Sequence, residues 1–354
     1  MSSGSTSARL ATPPVLADAA RWRTSVILVS LALVAVVAML AAVRWGSTPL
    51  AFGDVLDAIA GRGDDATRTI VRELRLPRVV QSALVGAALA TSGAALQALL
   101  RNPLAEPYVL GISSGAAVGA VATIVFGAAV LGSVTMGGAA LLGALASLGA
   151  VLMIARAVGG SLDPRTLVLA GVIIGAFLNA LLLLALVATD IERYRAAVFW
   201  MLGSNAGAEW RGVMTLAAVT IPALAWLVAR GRALDALTLG EETAQHLGVR
   251  AGRVRLEVLL VASALTAASV SVAGTVGFVG LVVPHMLRLA FAPTQRVHLL
   301  ASALGGAAFL VLADLAARAV APPSELPLGA VTALLGAPVF TWLLVRGERA
   351  RLAS

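Results

Sequence analysis

The 354-residue sequence contains no cysteine and no lysine. Without cysteine there is no disulfide and no thiolate metal site. Without lysine there is no Walker A loop, because that loop needs its lysine to reach the nucleotide phosphates. Charge of either sign is scarce. Only 12% of residues are charged, against about 25% in a soluble domain. Two tyrosines stand against 35 glycines, and no long stretch alternates polar with apolar residues. Both features argue against an aromatic-girdled β-barrel.

What is present is apolar. Hydrophobic residues make up 59% of the chain, gathered in runs broken by short arginine-bearing segments. A membrane-spanning helix needs about 20 such residues. Ten runs qualify, at 24–43, 78–100, 107–126, 134–155, 167–188, 212–229, 254–272, 275–291, 298–317 and 327–345. The expected fold is therefore all-α, a polytopic transmembrane helical bundle of about ten spans. Residues 1–23, with Arg9, Arg21 and Arg23, read as a polar tail rather than the charged start of a cleaved signal. The membrane domain then covers 24–346, and 347–354 form a second short tail.

All 26 basic residues are arginine, and 16 of them lie in the tails and in the alternate loops that share their side. That bias places both termini in the cytoplasm. It is moderate, because the first loop on the opposite side holds six arginines among five acidic residues. The net charge of +8 is thus a matter of membrane topology and calls for no nucleic-acid partner.

The spans are rich in small residues, which let helix backbones approach closely where lipid gives apolar burial no advantage. Gly86, Gly93, Gly111, Gly115 and Gly119 read as such packing positions, and the glycine-rich 137–143 stretch as a possible helix break. Gln97, Asn179, Ser263, Thr266, Ser269 and Thr332 are the polar residues within spans. Groups of this kind serve mostly as interhelical hydrogen bonds. Gln97, Asn179 and Thr332 are the candidates for a polar contact along a pathway, Asn179 foremost. His246 lies in the 230–253 loop, His285 ends the eighth span and His298 starts the ninth, so the three offer no metal site.

The 230–253 segment is the most informative loop. A short helix is expected after Gly240, with Glu241 and Glu242 in its first turn, where carboxylates favour the helix dipole. Ala244 and Leu247 follow at helical spacing, and Gly248 fits the C-terminal cap. Such a knob suits a soluble partner, or alternatively a helix lying on the headgroups.

These segments resemble a known family. Arg75-Leu-Pro-Arg78, Val85-Gly-Ala-Ala-Leu-Ala90 and Ser92-Gly-Ala94 are similar to the second span of the cobalamin and iron-chelate permeases of the FecCD type. Asn102-Pro-Leu-Ala-Glu-Pro107, Leu110-Gly-Ile-Ser-Ser-Gly115 and Leu169-Ala-Gly-Val172 continue the likeness. So do the loop Leu239-Gly-Glu241 with Ala244 and Leu247-Gly248, the run from Gly274 to Arg288, Glu325-Leu-Pro-Leu-Gly329 and Leu335-Gly-Ala-Pro338. The segments keep the family's order from about residue 72 to 345.

The resemblance implies a type II ABC importer permease in the bacterial inner membrane, without enzymatic activity or cofactor of its own. It implies a second copy across a twofold axis, two ATP-binding cassette subunits and a periplasmic substrate-binding protein. The ATPases would dock on Leu239, Gly240, Glu241, Ala244, Leu247 and Gly248. The binding protein would meet Arg75, Arg78 and Arg318, and the fifth and tenth spans would line most of the pathway. Arg318 also stands one helical turn after Asp314, a spacing that favours a local ion pair. Some relatives carry hydroxyl residues before the fifth span. Here Asp163-Pro164-Arg165-Thr166 keeps only the hydroxyl of Thr166, so no gate role carries over. A lone secondary transporter would need ionisable residues at mid-membrane, and an intramembrane enzyme a constellation such as His-Glu-x-x-His. Neither pattern is present.

Overall fold

A computed structural model describes residues 14–46, 50–126, 136–159, 163–291, 294–322 and 324–352. The described residues form helices joined by short irregular segments. Seven helices are long and apolar enough to cross a membrane, and three shorter apolar helices, Ile112–Phe126, Val279–Phe291 and Leu328–Leu343, accompany them. All ten coincide with the ten apolar runs. Helix α1 (Pro14–Arg44) begins inside the expected tail, of which residues 1–13 lie outside the described residues. The last helix likewise runs through the expected C-terminal tail to Leu352.

Two short helices, α2 (Phe52–Ile59) and α3 (Asp65–Thr69), follow α1. The Asp64 carboxylate accepts from the Thr67 amide and so starts α3. A six-residue π-helical stretch, Ile70–Arg75, carries the chain into α4 (Leu76–Leu100). Its place has a cause. Pro77 has no amide hydrogen and its ring crowds the preceding turn, and a wider π turn just before it accommodates both.

Helix α4 is the axis of the molecule, buried over most of its length. It packs on α9 (Trp210–Ala229), α12 (Ala251–Ala273), α13 (Val279–Phe291) and α14 (Gln295–Ala319). Glycines set these crossings. A Cβ at Gly86 would run into the Gly306 carbonyl, and one at Gly93 into the Gly280 carbonyl. A second layer is built from α5 (Ile112–Phe126), α6 (Met136–Gly159) and α7 (Pro164–Val187). Here Gly115 and Gly143 face each other, and Gly119 rests on the Ala139 carbonyl. The packing role expected of these glycines is borne out. The break expected at 137–143 is not, since α6 runs unbroken from Met136 to Gly159. Gly143 lies against the Gly115 backbone of α5, and Gly137 against the Ser271 carbonyl of α12.

Asp163 caps α7 by accepting from the Arg165 and Thr166 amides, with Pro164 at the first helical position. Helix α8 (Ile191–Met201) is capped in the same way by Asp190. Between α9 and α12 lie two short helices, α10 (Gly231–Thr238) and α11 (Glu241–His246). Helix α15 (Leu328–Leu352) closes the bundle.

Candidate functional sites at the two ends of one helix

The residues singled out in the sequence gather at the two ends of α4, which at 25 residues spans about 37 Å. At its start the Arg78 guanidinium is held by two carboxylates. Nε and Nη2 donate to Asp314 at 2.9–3.1 Å, while Nη1 and Nη2 donate to the two oxygens of Glu325 at 2.8 and 2.9 Å. Planar forked pairing of this kind is what arginine offers and lysine does not. Asp314 also pairs with Arg318 at 3.2 Å, so the local pair expected from the four-residue spacing is present.

Arg75 and Arg318 do a further job. Arg75 donates to the Val43 and Arg44 carbonyls, at 2.8 and 3.0 Å, and Arg318 to the Ala42 carbonyl at 3.0 Å. The last carbonyls of a helix have no intrahelical partner, and cations favour that end of the dipole. The two arginines therefore finish α1. All three are buried in the chain, with Arg78 only 9% exposed. They line a cleft of about 300 Å³ together with Leu74, Ala206 and Glu325, so a partner would reach them only from within it.

At the other end, α4 stops at Arg101, which takes a left-handed conformation. Beside it stands the α10–α11 knob. The expected helix runs Glu241–His246, with both glutamates in its first turn. Its end is a Schellman motif: the Gly248 amide donates to the Gln245 carbonyl and the Val249 amide to the Ala244 carbonyl. Gly248 has φ +78°, a value that favours glycine. Ala244 is fully buried, whereas Leu239 and Leu247 are 68% and 62% exposed. Glu241 is tied back to Arg255 on α12 at 3.0 Å, so the knob is fixed to the bundle.

The pathway candidates divide. Gln97 is buried and donates to the Gly280 and Leu281 carbonyls on α13. Thr332 is buried and donates to the Gly329 carbonyl within α15. Both are enclosed within the subunit. Asn179 lies on α7 among the exposed Phe177, Leu181 and Leu183. The three histidines stay apart in role. His246 is exposed, His285 meets the Phe340 ring edge-on at 5.7 Å, and His298 is buried.

Sequence reasoning missed an irregular hub beside α4. Residues 274–278 leave the helical path between α12 and α13. Their free amides are bound from afar: the Tyr108 hydroxyl accepts from the Val276 amide at 2.7 Å, and the Glu106 carboxylate from the Phe278 amide at 2.9 Å. Gly274 turns the chain there with φ +68°. Non-helical backbone in such a protein persists only where protein groups satisfy it. The Glu106-Pro107 and Gly274-Thr275 motifs were visible, but their pairing was not.

The FecCD transport family matches residues 32–346. The chain belongs to that family. It is 44% identical over 291 residues to the uncharacterized ABC transporter permease protein YvrB of Bacillus subtilis (strain 168), covering 82% of each. Over 329 residues it is 40% identical to the vitamin B12 import system permease protein BtuC of Salmonella typhi, covering 93% of this chain and 96% of that one. The BtuC of Vibrio parahaemolyticus is 43% identical over 80% of this chain and 84% of its own. A solved structure of a metal-chelate type ABC transporter in an inward-facing conformation superposes with a TM-score of 0.81. It is 29% identical, with 90% of this chain and 99% of that one covered. The FecCD-type fold is therefore that of a type II ABC importer permease.

Proposed function

We propose that this FecCD-family chain is the permease subunit of a binding-protein-dependent ABC importer for a cobalamin or an iron chelate, siderophore and heme included. ATP is hydrolysed in a separate subunit. The observation that carries this reading is the α10–α11 knob, a rigidly capped element that exposes Leu239 and Leu247 on a chain without a nucleotide-binding loop. Two large apolar side chains held out at either end of a short helix fit a hydrophobic groove of a soluble partner. The arginine bias favours placing the knob, and both termini, in the cytoplasm.

The remaining parts follow from the same arrangement. The domain proposed for 24–346 is the membrane body, and 230–253 its coupling loop. The exposed face of α7, with Asn179 among apolar residues, suits a pathway wall shared with a second copy. A bulky cargo slides past weak contacts there. The cleft over Arg75, Arg78 and Arg318 suits the carboxylates of a substrate-binding protein, because charge complementarity raises the encounter rate. Import then needs no covalent step from this chain. It needs two helix packings whose balance is biased by the nucleotide state of the partner.

Reconstitution tests the reading. Vesicles containing the chain and its ATPase should accumulate cyanocobalamin or a ferric siderophore only with ATP and a binding protein. Accumulation by the chain alone would overturn it.

A further inference from the structure

At the knob end, the junction of α9 with α10 and the start of α12 enclose a cleft of about 340 Å³ lined by Arg230, Arg250, Arg253 and Glu257, among others. A second hollow of about 450 Å³ shares its Gly248–Arg250 wall. The charges do not balance. Glu257 serves two arginines, Arg230 at 2.9 Å and Arg253 at 3.1 Å, while Arg250 has no carboxylate partner among the described residues. The lining therefore carries an excess of two positive charges. Arg250 also stands at the start of α12, where it supplies no side-chain cap, and the unpaired amides of that first turn favour an anion as well.

The cleft has an apolar continuation. Arg230 lies over the Trp226 ring at 5.2 Å, the pairing of an indole and a cation found at membrane interfaces. Along α12, Leu260 is two turns beyond Arg253 on the same face and is exposed. An acidic protein segment in the cleft would leave its neighbours against this greasy surface. A phospholipid fits both parts, with its phosphate among the arginines and its chains along α9 and α12.

We propose that this cleft binds the headgroup of an anionic phospholipid, and that the lipid braces the Gly248–Arg250 turn through which α11 joins α12. Basic pockets between spans bind such headgroups, with about 1 kcal/mol from each arginine near the surface. The inference rests on the helices lying in a bilayer and on no property of the cargo, so it can fail or stand apart from the import reading.

Native mass spectrometry of the full chain released from nanodiscs of mixed phosphatidylglycerol and phosphatidylcholine tests it. The unaltered chain should retain phosphatidylglycerol selectively. The R250Q/R253Q variant should lose that selectivity, by about fivefold for each arginine removed. R250K/R253K should keep it, which separates charge from folding. Equal selectivity in the unaltered and R250Q/R253Q chains overturns the proposal. So does displacement of the lipid by inorganic phosphate alone, which would make the site one for a soluble anion. Ejection of the lipid when the ATPase subunit binds would overturn it too, by assigning the cleft to the protein partner.

Discussion

Arg78 and Asp314 lie 236 residues apart in sequence and 2.9 Å apart in space, joining the start of α4 to the end of α14. Glu325 and Arg318 complete a four-member network. Two carboxylates and two guanidiniums in one enclosure balance in charge. Arg75 and Arg318 meanwhile finish α1, so three helices depend on one cluster.

Removing Arg78 leaves one guanidinium, that of Arg318, against two carboxylates, of which Asp314 is buried. Arg78→Ala should destabilise the detergent-solubilised protein by about 3–5 kcal/mol, the range for breaking a buried pair. Glu325→Gln should cost much less, about 1 kcal/mol or under, because the Glu325 side chain is 40% exposed. Thermal unfolding of the two variants side by side checks the order. A larger loss for Glu325→Gln would place the weight of the network elsewhere.

The packing prediction concerns Gly86. Its missing Cβ is what lets α4 touch the Gly306 backbone on α14, and a carbonyl cannot rotate away as a side chain would. Gly86→Val should force the helices apart at a cost of about 1–3 kcal/mol. Gly149→Val, where no atom stands in the way, is the control. Equal thermal stability of the two variants would show that the crossing is not set by Gly86.

Much of this was legible beforehand, and the division has a physical reason. Ten apolar runs became ten apolar helices because hydropathy and length are local properties. Gly248 was readable as a cap, and Arg318 as a partner of Asp314, because both relations lie within a few residues. The grip of Asp314 and Glu325 on Arg78 joins positions hundreds of residues apart and leaves no periodic trace. The same holds for the binding of the Val276 and Phe278 amides by Tyr108 and Glu106. The burial of Gln97 and Thr332 was not readable either, because polarity within a span does not say which side a residue faces. Asp163, odd as a gate residue, proved to be the cap of α7.

A modest acid sensitivity is expected at α8. The Arg193 amide, donating to Asp190, holds that carboxyl below its usual value of 3.8. A lowered folded-state pKa contributes stability that is complete above the unfolded value and is lost as pH falls through the folded one. Hydrogen exchange at the first turn of α8 should therefore quicken as pH drops below about 4, once corrected for the intrinsic rate. Asp190→Asn should flatten this dependence. An unchanged profile in that variant would remove the carboxyl from the role.

The knob gives the most direct functional prediction. The Leu247 side chain is exposed at the C-terminus of α11, so Leu247→Asp should leave folding intact while adding a charge to a hydrophobic docking surface. The companion change Gly240→Pro acts on the backbone. Gly240 has φ +120°, whereas proline is held near −65°, so the turn between α10 and α11 must rearrange. The double variant should release the ATPase on co-purification, or leave ATP hydrolysis running without uptake, while thermal stability of the isolated permease falls only modestly. Gly248→Ala should produce a milder form of the same defect, because a Cβ at φ +78° strains the cap by about 1 kcal/mol. The graded pair matters. A charge placed at Leu247 and a strained backbone at Gly248 differ chemically, and they share an outcome only if the knob passes force as a rigid body. Normal coupled uptake in the double variant would mean that the partner grips the bundle somewhere other than α11.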